Sequence, residues 1–179
     1  MRKHTLYLAG PEVFLPNALK IAETQRNICK DFGFIPRHPF DNDAGSQPTT
    51  ARSIYRGNIN QIRGSDIIVA NCNPFRGMCI DDGTAYELGF GNALGKPTYG
   101  YIWKIERGSA RIARNYPGSI DARGVYTDRE GFLVEDLGTS VNLIMECGMY
   151  HLNGRLIQGD FETCVAAVRS DINTGRLVL

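Results

Sequence analysis

Four carboxylates gather around one very apolar segment, and their types and spacing could do chemistry. Asp66 begins a run that predicts a strand at residues 66–70, Asp81 and Asp82 lie in the loop beyond it, and Glu87 opens the next helix. Open α/β sheets bind ligands beyond the carboxyl ends of their strands. A carboxylate there can attack an electrophilic carbon. We therefore predict that Glu87 is a nucleophile.

The same carboxylates also have an ordinary structural interpretation. Asp81 and Asp82 can cap the helix, and Glu87 can be a solvated residue favoured by the helix dipole. Against this, Glu87 lies between Tyr86 and Leu88 and precedes a run of small residues that permits close helix packing. The pattern alone leaves both interpretations open.

The elements that must position these residues alternate between strand and helix. Apolar runs predict strands at residues 4–9, 34–36, 66–70 and 97–102. Helical spacing predicts helices at residues 17–32, 51–64, 83–95, 141–150 and 161–170. This alternation predicts one domain over residues 1–179, with a flavodoxin-like, doubly wound parallel sheet of about five strands in three α/β/α layers.

Two segments stand apart from this alternation. Residues 103–138 mix charges, glycine and turn formers, and we expect a long excursion with little regular structure. Residues 38–50 form a loop long enough to suggest a function. Ser140 is the predicted cap of the helix that starts at Val141, and Ile54, Ile59 and Ile62 are the predicted inward residues of helix 51–64.

The first strand ends in a turn at Gly10 and Pro11, with Tyr7 before it and Phe14 after it. In a doubly wound sheet the first and third strands are neighbours, so this turn should face the loop before Glu87. An aromatic ring there can stack on a planar base. The alternative is that Tyr7 and Phe14 are ordinary core residues.

Composition excludes several classes of partner and site. The formal net charge of +1 gives no electrostatic reason to expect nucleic acid or membrane as a partner. Five cysteines without a C-x-x-C pair, and three distant histidines, predict neither a disulfide framework nor a metal site. We expect a cytoplasmic protein without a metal or other cofactor.

Familiar catalytic signatures are missing from the sequence. Gly89, Gly91 and Gly95 fall within or at the end of a helix, whereas a dinucleotide fingerprint needs its glycines at the turn between strand and helix. The sequence contains no G-x-x-x-x-G-K-[ST] phosphate loop and no G-x-S-x-G elbow.

Five motifs together resemble the nucleoside 2-deoxyribosyltransferase family. They are Y-L-A-G-P-x-V-F near the N-terminus, S-D-I-I-V-A-N at 65–71, P-F-R-G at 74–77, D-D-G-T-A-Y-E-L-G at 81–89 and V-N-L-I at 141–144. They follow in order and at the expected spacing over nearly the whole chain. The P-F-R-G motif is especially similar to members that prefer purine deoxynucleosides.

The resemblance implies a flavodoxin-like enzyme that moves the deoxyribosyl group between nucleobases with retention of configuration, without a cofactor. It implies that Glu87 forms the covalent intermediate and that Asp66 protonates the departing base. Asp81 would hold the sugar hydroxyls, and Tyr7 would orient Glu87. Retention requires two displacements, which agrees with one nucleophile and one acid.

Further residues follow from the same resemblance. Asn142 would reach into the site of a neighbouring subunit, so a homo-oligomer is expected. The substrates would be 2′-deoxynucleosides and free nucleobases. Gly10 and Phe14 are expected at the binding site from their place in the turn after the first strand. Asp41, in the 38–43 loop, is the expected contact to the edge of the base.

Some residues depart from the family pattern, and other functions stay open. Asp82 replaces a proline or serine, residues 78–80 are less polar than expected, and Ser140-Val141 replaces Pro-Leu. One alternative is an N-glycosidase, in which water replaces the acceptor base. A 5′-phosphate-specific hydrolase is disfavoured by the acidic Glu12 in the first turn. Another alternative is a non-catalytic nucleotide-sensing domain.

Overall fold

One sheet of five parallel strands forms the centre of the computed structural model, which describes residues 3–41 and 50–179. A separate antiparallel hairpin consists of β5 and β6. The strands are β1 (Thr5–Ala9), β2 (Ile35–Arg37), β3 (Ile67–Asn71), β4 (Thr98–Ile102), β5 (Gly118–Ile120), β6 (Tyr126–Asp128) and β7 (Arg155–Gln158). The strand order in the sheet is β2-β1-β3-β4-β7.

Helices cover both faces of this sheet. They are α1 (Ala18–Asp31), α2 (Ala51–Arg63), α3 (Asp82–Ala93), α4 (Gly108–Asn115), α5 (Leu143–His151) and α6 (Phe161–Asn173), with short 3-10 helices at Pro11–Phe14 and Pro39–Asp41. Helices α1 and α6 pack on one face, and α2, α3 and α5 pack on the other. The predicted flavodoxin-like order and three-layer arrangement are confirmed.

The alternation of side chains along the strands explains the two cores. Leu6 and Leu8 of β1 point to the side of α1 and α6, while Tyr7 and Ala9 point to the side of α2 and α3. In β3, residues 67–70 are all buried, as expected for a central parallel strand covered on both faces.

The topology locates a crevice between β1 and β3. These two strands pair in parallel, with Tyr7 beside Ile68 and Ala9 beside Ala70. From β1 the chain leads to β2 on one side of the sheet, and β3 lies on the other side. The carboxyl ends of β1 and β3 therefore flank the point where the strand order reverses, which is where ligands bind in such sheets.

Three details differ from the sequence predictions. Residues 103–138 contain regular structure, namely α4 and the β5–β6 hairpin. The hairpin turn is stabilised by Asp121, whose carboxylate accepts hydrogen bonds from two backbone N–H groups. The fifth strand of the sheet, β7, has no counterpart among the four strand ranges that the sequence predicts. Ile54 is 46% exposed rather than inward, although Ile59 and Ile62 are buried.

The cap of α5 also differs from the prediction. Asn142, not Ser140, precedes the helix, and its side-chain oxygen accepts a hydrogen bond from the N–H of Ile144. Asn142 presents the short acceptor that this position favours. Ser140 is buried instead, and its N–H donates to Glu146. Among the described helices, none has the length and apolar character needed to cross a membrane.

Candidate active site

The Glu87 carboxylate contacts the Tyr7 hydroxyl inside the α2/α3 face of the sheet. Tyr7 lies in the middle of β1 and is fully buried, and its hydroxyl donates to Glu87 Oε1 at 2.5 Å. Burial and the nearby Glu87 charge raise the pKa of Tyr7 far above its ordinary value, so the hydroxyl stays a donor. Because its ring is buried, Tyr7 offers no face for stacking on a base.

Asn58 supplies a second donor to the same oxygen. Its amide, on the inner side of α2, donates to Glu87 Oε1 at 3.1 Å. Within the described part of the chain, no residue donates to the other oxygen, Oε2. Asn58 was not predicted as a site residue. A signal did exist, since Asn58 precedes the buried Ile62 by four residues and so shares its inward face.

The surroundings of Glu87 make its carboxyl group less acidic than usual. Burial, the largest effect, raises the pKa of Glu87 from its ordinary 4.5 to about 7, and the charge of Asp81 adds to the increase. The hydrogen bonds from Tyr7 and Asn58 act in the opposite direction, because they stabilise the anion. Glu87 is thus a half-buried carboxylate with two neutral donors and no cationic partner among the described residues.

Asp81 caps α3 next to this group. Its Oδ2 accepts hydrogen bonds from the backbone N–H and the hydroxyl of Thr84, at 2.8 and 2.9 Å. Both bonds use one oxygen, and within the described ranges nothing donates to Oδ1. The capping interpretation therefore holds for Asp81, and one carboxylate oxygen remains for a ligand. Asp82 is exposed, and its side chain accepts from the N–H of Gly83.

Asp66 lies at the amino-terminal end of the central strand β3, away from the crevice at the carboxyl ends of the strands. It precedes the first residue of β3, its Oδ2 accepts a hydrogen bond from the N–H of Thr5, and its charge acts on Lys96 beyond the end of α3. Glu87 is six residues before the last residue of α3, about 9 Å along the helix axis. The structure therefore does not bring Asp66 to Glu87.

The turn after β1 depends on a glycine and an acid. A Cβ on Gly10 would lie 2.0 Å from Glu12 Oε2 and 3.1 Å from Asn71 Cβ, so a larger residue would require the Glu12 carboxylate to move from its place. Glu12 Oε1 accepts hydrogen bonds from Asn71 at 2.8 Å and from the hydroxyl of Tyr101 at 2.5 Å. These bonds attach the turn to the ends of β3 and β4. Glu12 and Asn71 are therefore positioning residues that the sequence prediction missed.

An aromatic and cationic cluster bridges the loops that follow β1 and β3. Phe14 is 58% exposed and stacks on Phe75, with ring centroids 5.5 Å apart and an interplanar angle of 20°. The Arg76 guanidinium lies 4.8 Å from the Phe75 centroid and 5.6 Å from that of Phe14. Arg76 has φ of 49°, a backbone conformation that costs roughly 1–2 kcal/mol for a residue with a Cβ.

Asp41 is already engaged by protein groups. Its carboxylate accepts from Arg26 at 2.5 Å and from the backbone N–H of His38 at 2.7 Å. Burial, together with the Arg26 charge, lowers the pKa of His38 to about 4, although Asp41 opposes the shift. Residues 42 and 43 of the predicted base-contacting loop, 38–43, lie outside the described residues. A contact between Asp41 and a base thus stays a prediction.

Asn142 is exposed on the wall of a separate cavity of about 360 Å³. The opposite wall includes residues 78–80, which precede the acidic loop. Within one subunit, Asn142 makes no hydrogen bond to Glu87 or Asp81. Across residues 3–41 and 50–179, no group of three or more His, Cys, Asp and Glu side chains could hold a metal ion.

Comparison with known proteins identifies relatives of this arrangement. Residues 6–144 match the family model described as nucleoside 2-deoxyribosyltransferase. A 2-desoxiribosyltransferase from Leishmania mexicana is 32% identical, with a TM-score of 0.71, over 93% of this chain and 97% of that chain. An uncharacterized protein of Schizosaccharomyces pombe is 30% identical over 87% of this chain and 81% of its own length.

A more distant structure shares the fold alone. A CMP N-glycosidase from Clostridium botulinum is 12% identical, with a TM-score of 0.50, over 92% of this chain and 97% of that chain. The family match, by contrast, spans both loops of the β1–β3 crevice and the helix that carries Glu87. The chain therefore belongs to the nucleoside 2-deoxyribosyltransferase family.

Proposed function

We propose that the protein transfers the 2-deoxyribosyl group from one nucleobase to another, with Glu87 as the nucleophile. The observation that carries the proposal is the arrangement of the Glu87 carboxylate. Tyr7 and Asn58 both hold Oε1, while Oε2 has no donor among the described residues. A carboxylate fixed through one oxygen presents the other in a defined direction, as nucleophilic catalysis requires.

The proposed reaction proceeds in two displacements at the anomeric carbon. Glu87 Oε2 forms a bond to that carbon, while the N-glycosidic bond breaks and its electron pair leaves with the base. A nitrogen of the acceptor base then attacks the same carbon, and the carboxylate of Glu87 departs with its electron pair. The departing base takes up one proton and the acceptor nitrogen releases one, so the exchange consumes no net proton. Each displacement inverts the configuration, so the product retains the configuration of the substrate.

The raised pKa of Glu87 fits a nucleophile that works near neutral pH. Burial weakens the solvation of the anion, so it is more reactive than a fully hydrated carboxylate. The hydrogen bonds from Tyr7 and Asn58 limit the increase, so a large fraction of Glu87 is still ionised at pH 7. The two donors thus act as positioning groups and keep the carboxylate available.

Other predicted residues enter the proposal at different positions. Asp81 would bind a sugar hydroxyl through Oδ1, and Phe14 would stack on the base. The exposed Asn142 would complete the site of a neighbouring subunit in a homo-oligomer. The position of Asp66 does not support a role as the acid, and we propose none for it. A cytoplasmic location and a preference for purines belong to the same proposal.

The second candidate function is hydrolysis of the same bond. Water would then discharge the glutamyl intermediate in place of an acceptor base. A CMP N-glycosidase with the same fold is the reason to consider this alternative. Glu12 lies in the first turn, where its negative charge disfavours a nucleoside 5′-phosphate.

A base-exchange assay tests the proposal directly. Deoxyinosine and free adenine should yield deoxyadenosine and hypoxanthine, and Glu87→Gln should abolish the product. Glu162→Gln is the control, because Glu162 is a helical glutamate on the opposite side of the sheet, in the first turn of α6, whereas Glu87 lies in the second turn of α3. Base release without exchange, for every pair of natural bases, would establish the hydrolase instead.

A further inference from the structure

Arg76 is an exposed cation that lies against two aromatic rings and has no acidic partner among residues 3–41 and 50–179. Its guanidinium lies on the faces of Phe75 and Phe14, as a cation–π contact. Of the residues that the structure describes, none accepts a hydrogen bond from it, and none forms an ion pair with it. No described residue therefore competes with a ligand for its N–H groups.

The cluster of Phe14, Phe75 and Arg76 is placed where a substrate would lie. Phe14 follows β1 and Phe75 follows β3, so their stacked rings span the crevice between the two strand ends. The loop that carries Arg76 ends at Asp81, the cap of the helix that contains Glu87. A nucleoside with its sugar at Asp81 and Glu87 would place its base toward this cluster, since the cluster lies on the two loops that border the crevice.

The chemistry of a guanidinium determines which bases it can bind. Arginine has donors only, in a planar fork that matches two adjacent acceptors. A 6-oxopurine offers two such acceptors, O6 and N7, on one edge, and arginine is the usual partner of that edge. Adenine presents N7 beside an amino group, so one donor would face another donor.

We infer that Arg76 makes the site selective for 6-oxopurines, that is hypoxanthine and guanine, over adenine. The inference rests on the proposed function and names the substrate class of the same site. Phe14 and Phe75 supply the flat surface, and Arg76 supplies the donors at its edge. Arg76 keeps an unfavourable φ of 49° while its guanidinium lies over the two rings.

A 5′-phosphate is the other ligand that a guanidinium binds, and the surroundings favour the base. The exposed aromatic face beside Arg76 suits a planar partner. Glu12, two residues before Phe14 in the same turn, would repel a phosphate. The experiment below separates these two ligands.

The test compares deoxyinosine, deoxyguanosine and deoxyadenosine as donors to a fixed acceptor base, 6-methylpurine. The wild-type protein should show kcat/KM about tenfold or more higher for the two 6-oxopurine nucleosides. Arg76→Met should lower those two values by about tenfold or more and leave deoxyadenosine within about twofold. Arg76→Gln should move the preference toward deoxyadenosine, because glutamine pairs with adenine N6 and N7.

Arg169→Met is the matched control. The guanidinium of Arg169 lies 4.1 Å from the Phe34 centroid, the same kind of contact on the other side of the sheet. This variant should leave the ratio between the nucleosides unchanged. Arg76→Lys retains the charge without the planar fork, and it should lose most of the selectivity.

The same comparison includes deoxyinosine 5′-monophosphate as a fourth donor, which should lose no more than deoxyinosine in Arg76→Met. Several results would overturn the inference. They are a wild-type ratio near one, an equal loss for all three nucleosides in Arg76→Met, or a loss confined to deoxyinosine 5′-monophosphate. The equal loss would mean that Arg76 only supports its loop, and the last result would assign it to the phosphate. Absence of exchange with any nucleoside would instead refute the proposed function, so the two failures are distinguishable.

Discussion

Two tyrosine–carboxylate pairs on opposite faces of the sheet have opposite electrostatic surroundings. On the α2/α3 face, Tyr7 donates to Glu87, and the second donor is the neutral Asn58. On the other face, Tyr99 donates to Asp171 at 2.8 Å. Asp171 also accepts from Arg155 and Arg176, which both form ion pairs with it.

The pKa values of the two acids diverge for this reason. Burial alone would raise the pKa of Asp171, but hydrogen bonds from Arg176, Tyr99 and Arg155 hold it below its ordinary value. Burial raises the pKa of Glu87 to about 7, because its donors are neutral. A charge-compensated carboxylate joins parts of the fold, whereas an uncompensated one is available for chemistry.

The largest expected effect separates the two acids by function. Glu87→Gln should lower the rate of base exchange by about 10⁴-fold or more, because it removes the nucleophile while it preserves the shape. Asp171→Asn should leave the rate within about threefold but lower the free energy of unfolding by about 2 kcal/mol, because two half-exposed arginines lose their partner. Exchange kinetics and urea unfolding measure these effects. Strong loss of activity in folded Asp171→Asn would contradict the comparison.

The two tyrosines should differ in their effect on the pH profile. The kcat/KM for exchange should rise with pH through an apparent pKa of about 7, as Glu87 ionises. Tyr7→Phe removes a donor that stabilises the anion, so the profile should shift to higher pH and the maximal rate should fall about 10–100-fold. Tyr99→Phe is the matched control and should leave the profile in place. A profile that Tyr7→Phe does not move would refute this role.

The two acids should also affect stability with opposite dependence on pH. Glu87 has a raised pKa in the folded protein, so its stabilising effect is complete below pH 4.5 and is lost as the pH rises to about 7. Glu87→Gln should therefore gain stability relative to wild type between pH 4.5 and 8, by up to about 3 kcal/mol. Asp171→Asn should show its deficit above the ordinary pKa of 3.8 and less of it below. Urea unfolding at pH 3.5, 4.5, 6 and 8 tests both slopes.

The pattern of apolar residues predicted most of the strands and helices of the fold. The run of apolar residues in β3 and the spacing in α1 and α2 reflect burial, which the sequence records locally. The short strand β7 escaped assignment because only Leu156 and Ile157 of its residues are buried. The β5–β6 hairpin is exposed or half-buried throughout, so no apolar alternation marks it.

The sequence predicted a site residue well where its type is unusual for its surroundings. It predicted less well where the role depends on which end of a strand the residue occupies. Glu87 stood out as a carboxylate among apolar and small residues. Asp66 was misplaced because the prediction did not separate the start of a strand from its end, although only the carboxyl end borders the crevice. The contact between Asn58 and Glu87 joins residues on different helices, so spacing within one helix could not reveal it.

The smallest expected effect concerns the second donor to Glu87. Asn58→Ala removes one of the two hydrogen bonds to Oε1, so the exchange rate should fall about tenfold, less than in Tyr7→Phe. The pKa in the kcat/KM profile should rise, because the Asn58 bond lowers the pKa of Glu87. Asp82→Asn is the control, since Asp82 is exposed in the first turn of α3 and bonds only to Gly83 in the described chain. It should change the rate by less than about threefold. Equal effects of Asn58→Ala and Asp82→Asn would mean that Tyr7 alone holds the carboxylate.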